Sequence, residues 1–195
     1  MKKMPAPNVA VVQARTVTSG AGLTGGGDLS ADRTLAVGAG TGIDANADDV
    51  AVKETFLRQA SVTLTNAQML ALRATPIEIV PAVGAGKTIE LVAVSAFFNR
   101  GAAAYTETAD NIALRMNNGT GSVLATLEAT GFVDAAGDAV TYAAPAATPP
   151  NLTAAGELSN PSLVLHNSGD GEFGAGDAAN TVKVTVTYRV HTTGL

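Results

Sequence analysis

Apolar residues along this chain recur at the spacing of strands rather than helices. The clearest stretch is near the end. Val182, Val184, Val186, Tyr188 and Val190 alternate with Lys183, Thr185, Thr187, Arg189 and His191. Strict period two over this length predicts an antiparallel strand with one buried and one wet face. Asn111–Met116 alternates in the same way and runs into Asn117-Asn118-Gly119, a turn signal. Further strands are predicted at 77–80, 88–98, 122–129, 140–143 and 162–166. Alternation in 88–98 is imperfect, which predicts a strand buried on both faces. One helix is expected, from Asn66 to about Arg73. Thr65 and Gln68 form a capping-box pair at its start, and Pro76 ends it.

The segment from Thr16 to Lys53 has a different texture. Glycine is dense, and Leu23, Leu29 and Leu35 recur every six residues, followed by Val37, Ile43, Val50 and Val52. Short β segments joined by glycine turns fit this pattern. Glycine loses more chain entropy on ordering than any other residue. So few apolar side chains cannot offset that cost within one copy. Several copies sharing an apolar axis would do so, with Leu23, Leu29, Leu35 and Val37 as the residues of that axis.

Four divisions follow: an N-terminal arm over 1–15, the glycine-rich segment over 16–53, a linker over 54–61 and a β-sandwich over 62–195. Pro5 and Pro7 keep the arm extended. Its Val9, Val11 and Val12 could order on a neighbour and anchor the protein there. Many strands, glycine and proline turns and one short helix predict an all-β chain whose larger part is an antiparallel, jelly-roll-like sandwich.

The run Gly20-Ala-Gly22-Leu23-Thr24-Gly25-Gly26-Gly27-Asp28-Leu29-Ser30, then Asp32-Arg33-Thr34-Leu35-Ala36-Val37, resembles a repeat in fibre proteins of tailed bacteriophages. Gly40-Thr41-Gly42-Ile43 and Asp49-Val50-Ala51-Val52 look like its continuation. The string from Thr65 to Arg189 also looks like a recurrent domain of phage and prophage virion-assembly proteins. The resemblance implies a trimeric, β-rich, non-enzymatic virion protein. With one repeat and one globular domain, a short head fibre or decoration (cement) protein is expected. Its partners would be its own copies and the major capsid protein or another virion protein. It would be assembled in the host cytoplasm and end on the capsid surface. The alternative is a short tail-fibre or baseplate module that recognises host carbohydrate or protein, with Tyr105 and Tyr142 as the exposed aromatics that touch the ligand. Arg33 is expected to pair with Asp28 or Asp32 of a neighbouring chain.

Composition narrows the chemistry. The 195 residues carry a net charge of -5, which gives no basic footprint for nucleic acid. No apolar run is long enough to span a bilayer, and MKKMPAPNVAVVQAR lacks the apolar core of a secretory signal. There is no cysteine, so disulfides and thiolate metal sites are excluded.

Motif look-alikes fail on spacing. Gly84-Ala85-Gly86-Lys87-Thr88 has Pro81 where a phosphate loop needs glycine, and a strand follows it instead of a helix. Gly20–Gly25 matches the dinucleotide fingerprint but lacks a surrounding βαβ unit. Asp44–Asp49 starts like a calcium loop, yet Asp49 stands at the glycine position and Thr55 at the glutamate position. The cluster Asp170, Glu172 and Asp177 reads as a solvated glycine-rich loop. His166 and His191 are the only histidines, and neither belongs to a recognisable triad or zinc set. No catalytic residue, cofactor or metal is therefore expected.

Overall fold

The computed structural model describes residues 15–38, 42–45, 50–53, 56–148, 150–169 and 171–195. The anchoring residues Val9, Val11 and Val12 lie outside them. The chain divides into two compact units, 1–53 and 54–195.

In the first unit, β1 (Thr16–Thr18), β2 (Leu23–Asp28) and β3 (Leu35–Val37) form an antiparallel sheet in that order. A hairpin follows, made of β4 (Ile43–Ala45) and β5 (Val50–Val52). The glycine triplet makes the central strand possible. Gly25 and Gly26 hold φ of +97° and +101°, where a side chain is strained. A Cβ at Gly25 would fall on the carbonyl oxygen of Thr34, and one at Gly26 on that of Val17.

The second unit is an all-β sandwich. Its eight main strands are β6 (Arg58–Thr65), β7 (Ile77–Val80), β8 (Lys87–Asn99), β10 (Ile112–Met116), β11 (Val123–Leu127), β12 (Ala139–Ala143), β13 (Leu163–Asn167) and β15 (Thr181–Thr192). Two-residue strands β9 (Tyr105–Thr106) and β14 (Gly174–Ala175) pair with each other at one side. One sheet runs β12-β8-β15-β6 and the other β11-β10-β13-β7, and all pairs are antiparallel. Counting only the eight main strands in chain order, these sheets read 6-3-8-1 and 5-4-7-2. That interleaving is the jelly roll, two four-stranded sheets wound together.

The inward residues of both sheets share one core. Val182, Val184 and Val186 of β15 and Val94, Ala96 and Phe98 of β8 meet Leu114, Leu163 and Leu165 of the opposite sheet. The imperfect alternation of β8 is not two-faced burial. Thr187 pairs with Ala93 and Tyr188 with Leu91, so Val92 is an extra residue. Before this bulge Ile89 and Leu91 point inward; after it Val94, Ala96 and Phe98 do. The opposite face of β8 stays open. Residues 58–61 are not linker either: Gln59, Ala60 and Ser61 pair with Thr187, Val186 and Thr185.

Helix α1 (Asn66–Met69) carries the expected capping box. The Gln68 amide donates to Thr65 Oγ1, and the Thr65 amide donates to Gln68 Oε1 at 2.9 Å. It is shorter than expected, and turns carry the chain from Leu70 to Ala74. The Glu172 carboxylate accepts the Arg73 and Ala74 amides at 2.9 and 2.7 Å. A second short helix, α2 (Ala155–Leu158), buries Glu157, whose carboxylate accepts both the amide and the hydroxyl of Ser122. No helix among the described residues is long and apolar enough to cross a membrane.

The glycine constraint is testable. Gly25→Ala should melt the β1-β2-β3 sheet while leaving the sandwich folded. Gly20→Ala, whose Cβ meets nothing within 4 Å, should be neutral. Residue-resolved hydrogen exchange of the two variants checks this; equal protection in both would refute it.

Candidate interaction surfaces

The first unit offers an apolar face with no cover from its own sheet. Leu23 stands opposite Val37 and Gly25 opposite Leu35, so the pleat puts Leu23, Leu35 and Val37 on one side. Leu29 follows β2 directly, and its amide donates to the Arg15 carbonyl at 3.1 Å. All four side chains are 37–46% exposed in the single chain, and Val50 and Val52 are half exposed. No hydrophobic side chain of this unit, among the described residues, is buried. A small sheet of this kind needs a hydrophobic face packed against something for stability.

The turn after β2 is closed by charge. Arg33 Nη2 donates to Asp28 Oδ1 at 2.6 Å, and Arg33 Nε donates to the Asp28 carbonyl oxygen. The Ser30 amide donates to the same Oδ1 at 3.0 Å, and the Ser30 hydroxyl joins it. The guanidinium lies against Gly27, where a side chain would meet it. Arg33 is thus satisfied within its own chain, contrary to the expected pairing with a neighbour: the turn is tight enough for the side chain to reach back over it.

In the sandwich, the two candidate aromatics part company. Tyr105 is 2% exposed and packs against Phe98, with centroids 5.7 Å apart. Burial pushes its hydroxyl up to about 12. It is a core residue and cannot meet a ligand. The Phe173 ring and the backbone at Gly176, distant in sequence, also lie against it, which local periodicity does not reveal. Tyr142 is 77% exposed, on the outer face of β12. Across this face the register places Val140, Phe97, Lys183 and Thr63 in one row. Tyr142, Ser95, Thr185 and Ser61 form the next.

Further along the same face, Glu90 Oε2 lies 2.7 Å from His191 Nε2 and 3.4 Å from Arg189 Nη1. The His191 contact first, then Arg189, holds the Glu90 carboxyl below its usual range. Because β12 pairs only with residues 94–98, the start of β8 has no strand on that side. A groove of about 490 Å³ lies there, walled by Ile89, Leu91, Leu124, Pro145, Pro150 and Leu152, with Thr88, Glu90 and His191 also lining it.

The other singled-out groups have structural work. Gly84–Thr88 is a loop entering β8: the Gly84 amide donates to Asn160 Oδ1 and the Gly86 amide to Ser159 Oγ. His166 is buried on β13, where burial, then Arg115 and Arg73, hold its imidazole below the usual pKa. Asp177 accepts the Ala179 amide, and Asp170 lies outside the described residues. No group of three or more metal-ligating side chains occurs among the described residues. No protein-family model, curated protein or solved structure matches the chain.

The Asp28 clamp has a pH signature. Its hydrogen bonds from Ser30, and then from Arg33, lower the carboxyl from 3.8 to about 2. A depressed acid stabilises the fold in its ionised form. That contribution is complete above the ordinary carboxyl pKa and is lost as pH falls toward 2. Titration of the Asp28 carboxyl carbon by NMR should show a midpoint near 2 in the native chain, moving up in Arg33→Ala. An ordinary midpoint in the native chain would refute the clamp.

Proposed function

We propose that the protein is a structural component of a tailed-phage virion, a trimeric head fibre or decoration (cement) protein that binds the capsid surface without covalent chemistry. The observation that carries this reading is the first unit. It bears the fibre-like string over 20–37, yet buries none of its described hydrophobic side chains within the chain. Three copies packed through Leu23, Leu35 and Val37, with Leu29 alongside, would complete it. Covering a half-exposed leucine or valine is worth roughly 1 kcal/mol. Several such residues from each copy, with backbone contacts between chains, are of the size needed to offset the entropy of association. The arm with Val9, Val11 and Val12 is the capsid anchor. The role is binding, not catalysis.

A second reading, a short tail-fibre or baseplate module that recognises a host ligand, is favoured by one observation, the fully presented Tyr142 ring.

Co-sedimentation with phage heads lacking their decoration tests the first reading. The full chain should pellet with the heads and saturate at a fixed copy number. A chain starting at Arg15 should stay in the supernatant with its oligomeric mass unchanged. Failure of the full chain to bind heads, or full binding by the truncated chain, would contradict the anchoring arm.

A further inference from the structure

We infer that the outer face of the β12-β8-β15-β6 sheet is a binding platform for a carboxylated oligosaccharide. This names the ligand class for the recognition reading above and rests on it. It is drawn from the sandwich alone and does not depend on where on a particle the protein sits.

The platform begins with three apolar side chains that the fold leaves in solvent. Val140 and Tyr142 project from β12 on the same side, and Phe97 stands directly opposite Val140 on β8. They are 54%, 77% and 41% exposed. Tyr142 makes no hydrogen bond or ring contact with another described residue. An aromatic presented this openly contributes nothing to the core. Its negatively polarised ring face is suited to the C–H face of a pyranose.

The adjoining surface is neutral and hydroxylated. Beyond Tyr142, the same row continues through Ser95, Thr185 and Ser61. These short side chains keep the face flat and offer donors and acceptors that match sugar hydroxyls.

Charge decides the class of sugar. The charged groups toward the far end of the face, Glu90, Arg189 and His191, satisfy one another. Oδ1 of Asp138, just before β12, accepts the Arg100 backbone N–H at 2.9 Å. Lys183 has no ion pair among the described residues and stands beside Phe97 in the register. On a chain of net charge -5, an unpaired lysine next to an exposed aromatic is a local positive mark. It complements a carboxylate. From Tyr142 to Lys183 the path crosses two strand spacings and two residues, roughly 12 Å by sheet geometry. That is the reach of two linked pyranose rings. One ring would stack near Tyr142, and the next would bring its carboxylate to Lys183.

Calorimetric titration of the full chain tests this with matched probes: trigalacturonate against its methyl ester, and 3′-sialyllactose against lactose. The carboxylated member of at least one pair should bind about tenfold more tightly than its neutral counterpart. Tyr142→Ala should weaken that binding by about tenfold or more, and Lys183→Gln should bring the carboxylated probe down to the neutral level. Both side chains are exposed, so thermal unfolding should be unchanged in either variant. Gln59→Ala, at the other edge of the face, should leave binding intact. Absence of binding to all four probes overturns the inference, as does binding that both variants leave unaltered. A change of oligomeric mass in Tyr142→Ala also overturns it, because the face would then be a contact between copies. Head binding by the full chain is measured separately, so a failure here leaves the capsid reading standing.

Discussion

Gly25 and Gly26 let β1, β2 and β3 approach so closely that a methyl group at either glycine would meet a neighbouring carbonyl. The same choice removes side chains from the middle of the sheet. What remains apolar, Leu23, Leu29, Leu35 and Val37, is left partly in water by the single chain. Backbone pairing alone does not repay the entropy of ordering so much glycine. In the proposed trimer, neighbouring copies supply the missing stabilisation. The assembly proposed for this protein follows from that need, because a segment that gains its apolar cover from other copies is a natural device for assembly.

The sandwich obeys the opposite rule. It encloses a continuous core from eight strands wound as a jelly roll, and it needs no partner to bury Phe98, Leu114 or Val184. Two buried polar side chains, Glu157 and Asn180, are tied to backbone. Glu157 accepts the Ser122 amide, and Asn180 accepts the Gly101 amide and donates to the Ala103 carbonyl, each joining segments far apart in sequence. The sandwich buries its own apolar residues, whereas the glycine-rich unit, among its described residues, does not.

Local signals are legible in the sequence; signals that depend on distant partners are less so. The alternation of β15 and the Thr65–Gln68 capping box depend on neighbours a few residues away, and both stand in the structure. The phase change in β8 is visible only against β15, where Val92 falls out of register. Residues 58–61, Arg-Gln-Ala-Ser, look like linker until β15 lies beside them. Tyr105 and Tyr142 look alike as loop and strand tyrosines. Their opposite fates are decided by Phe98, Phe173 and the backbone at Gly176, which enclose one, and by an open sheet face, which presents the other. Arg33 was legible as a partner for Asp28, but not as a partner in the same chain.

The measurement that bears most directly on the central claim is the solution mass of the full chain by multi-angle light scattering, with Leu35→Asp alongside. The account predicts a native mass three times that of the 19.5 kDa chain. In the variant, a carboxylate placed on the shared face should dissociate it to monomers whose sandwich remains folded. A native chain that runs as a stable monomer, with its glycine-rich sheet protected from hydrogen exchange, would contradict the account. The first unit would then have found its stability without company.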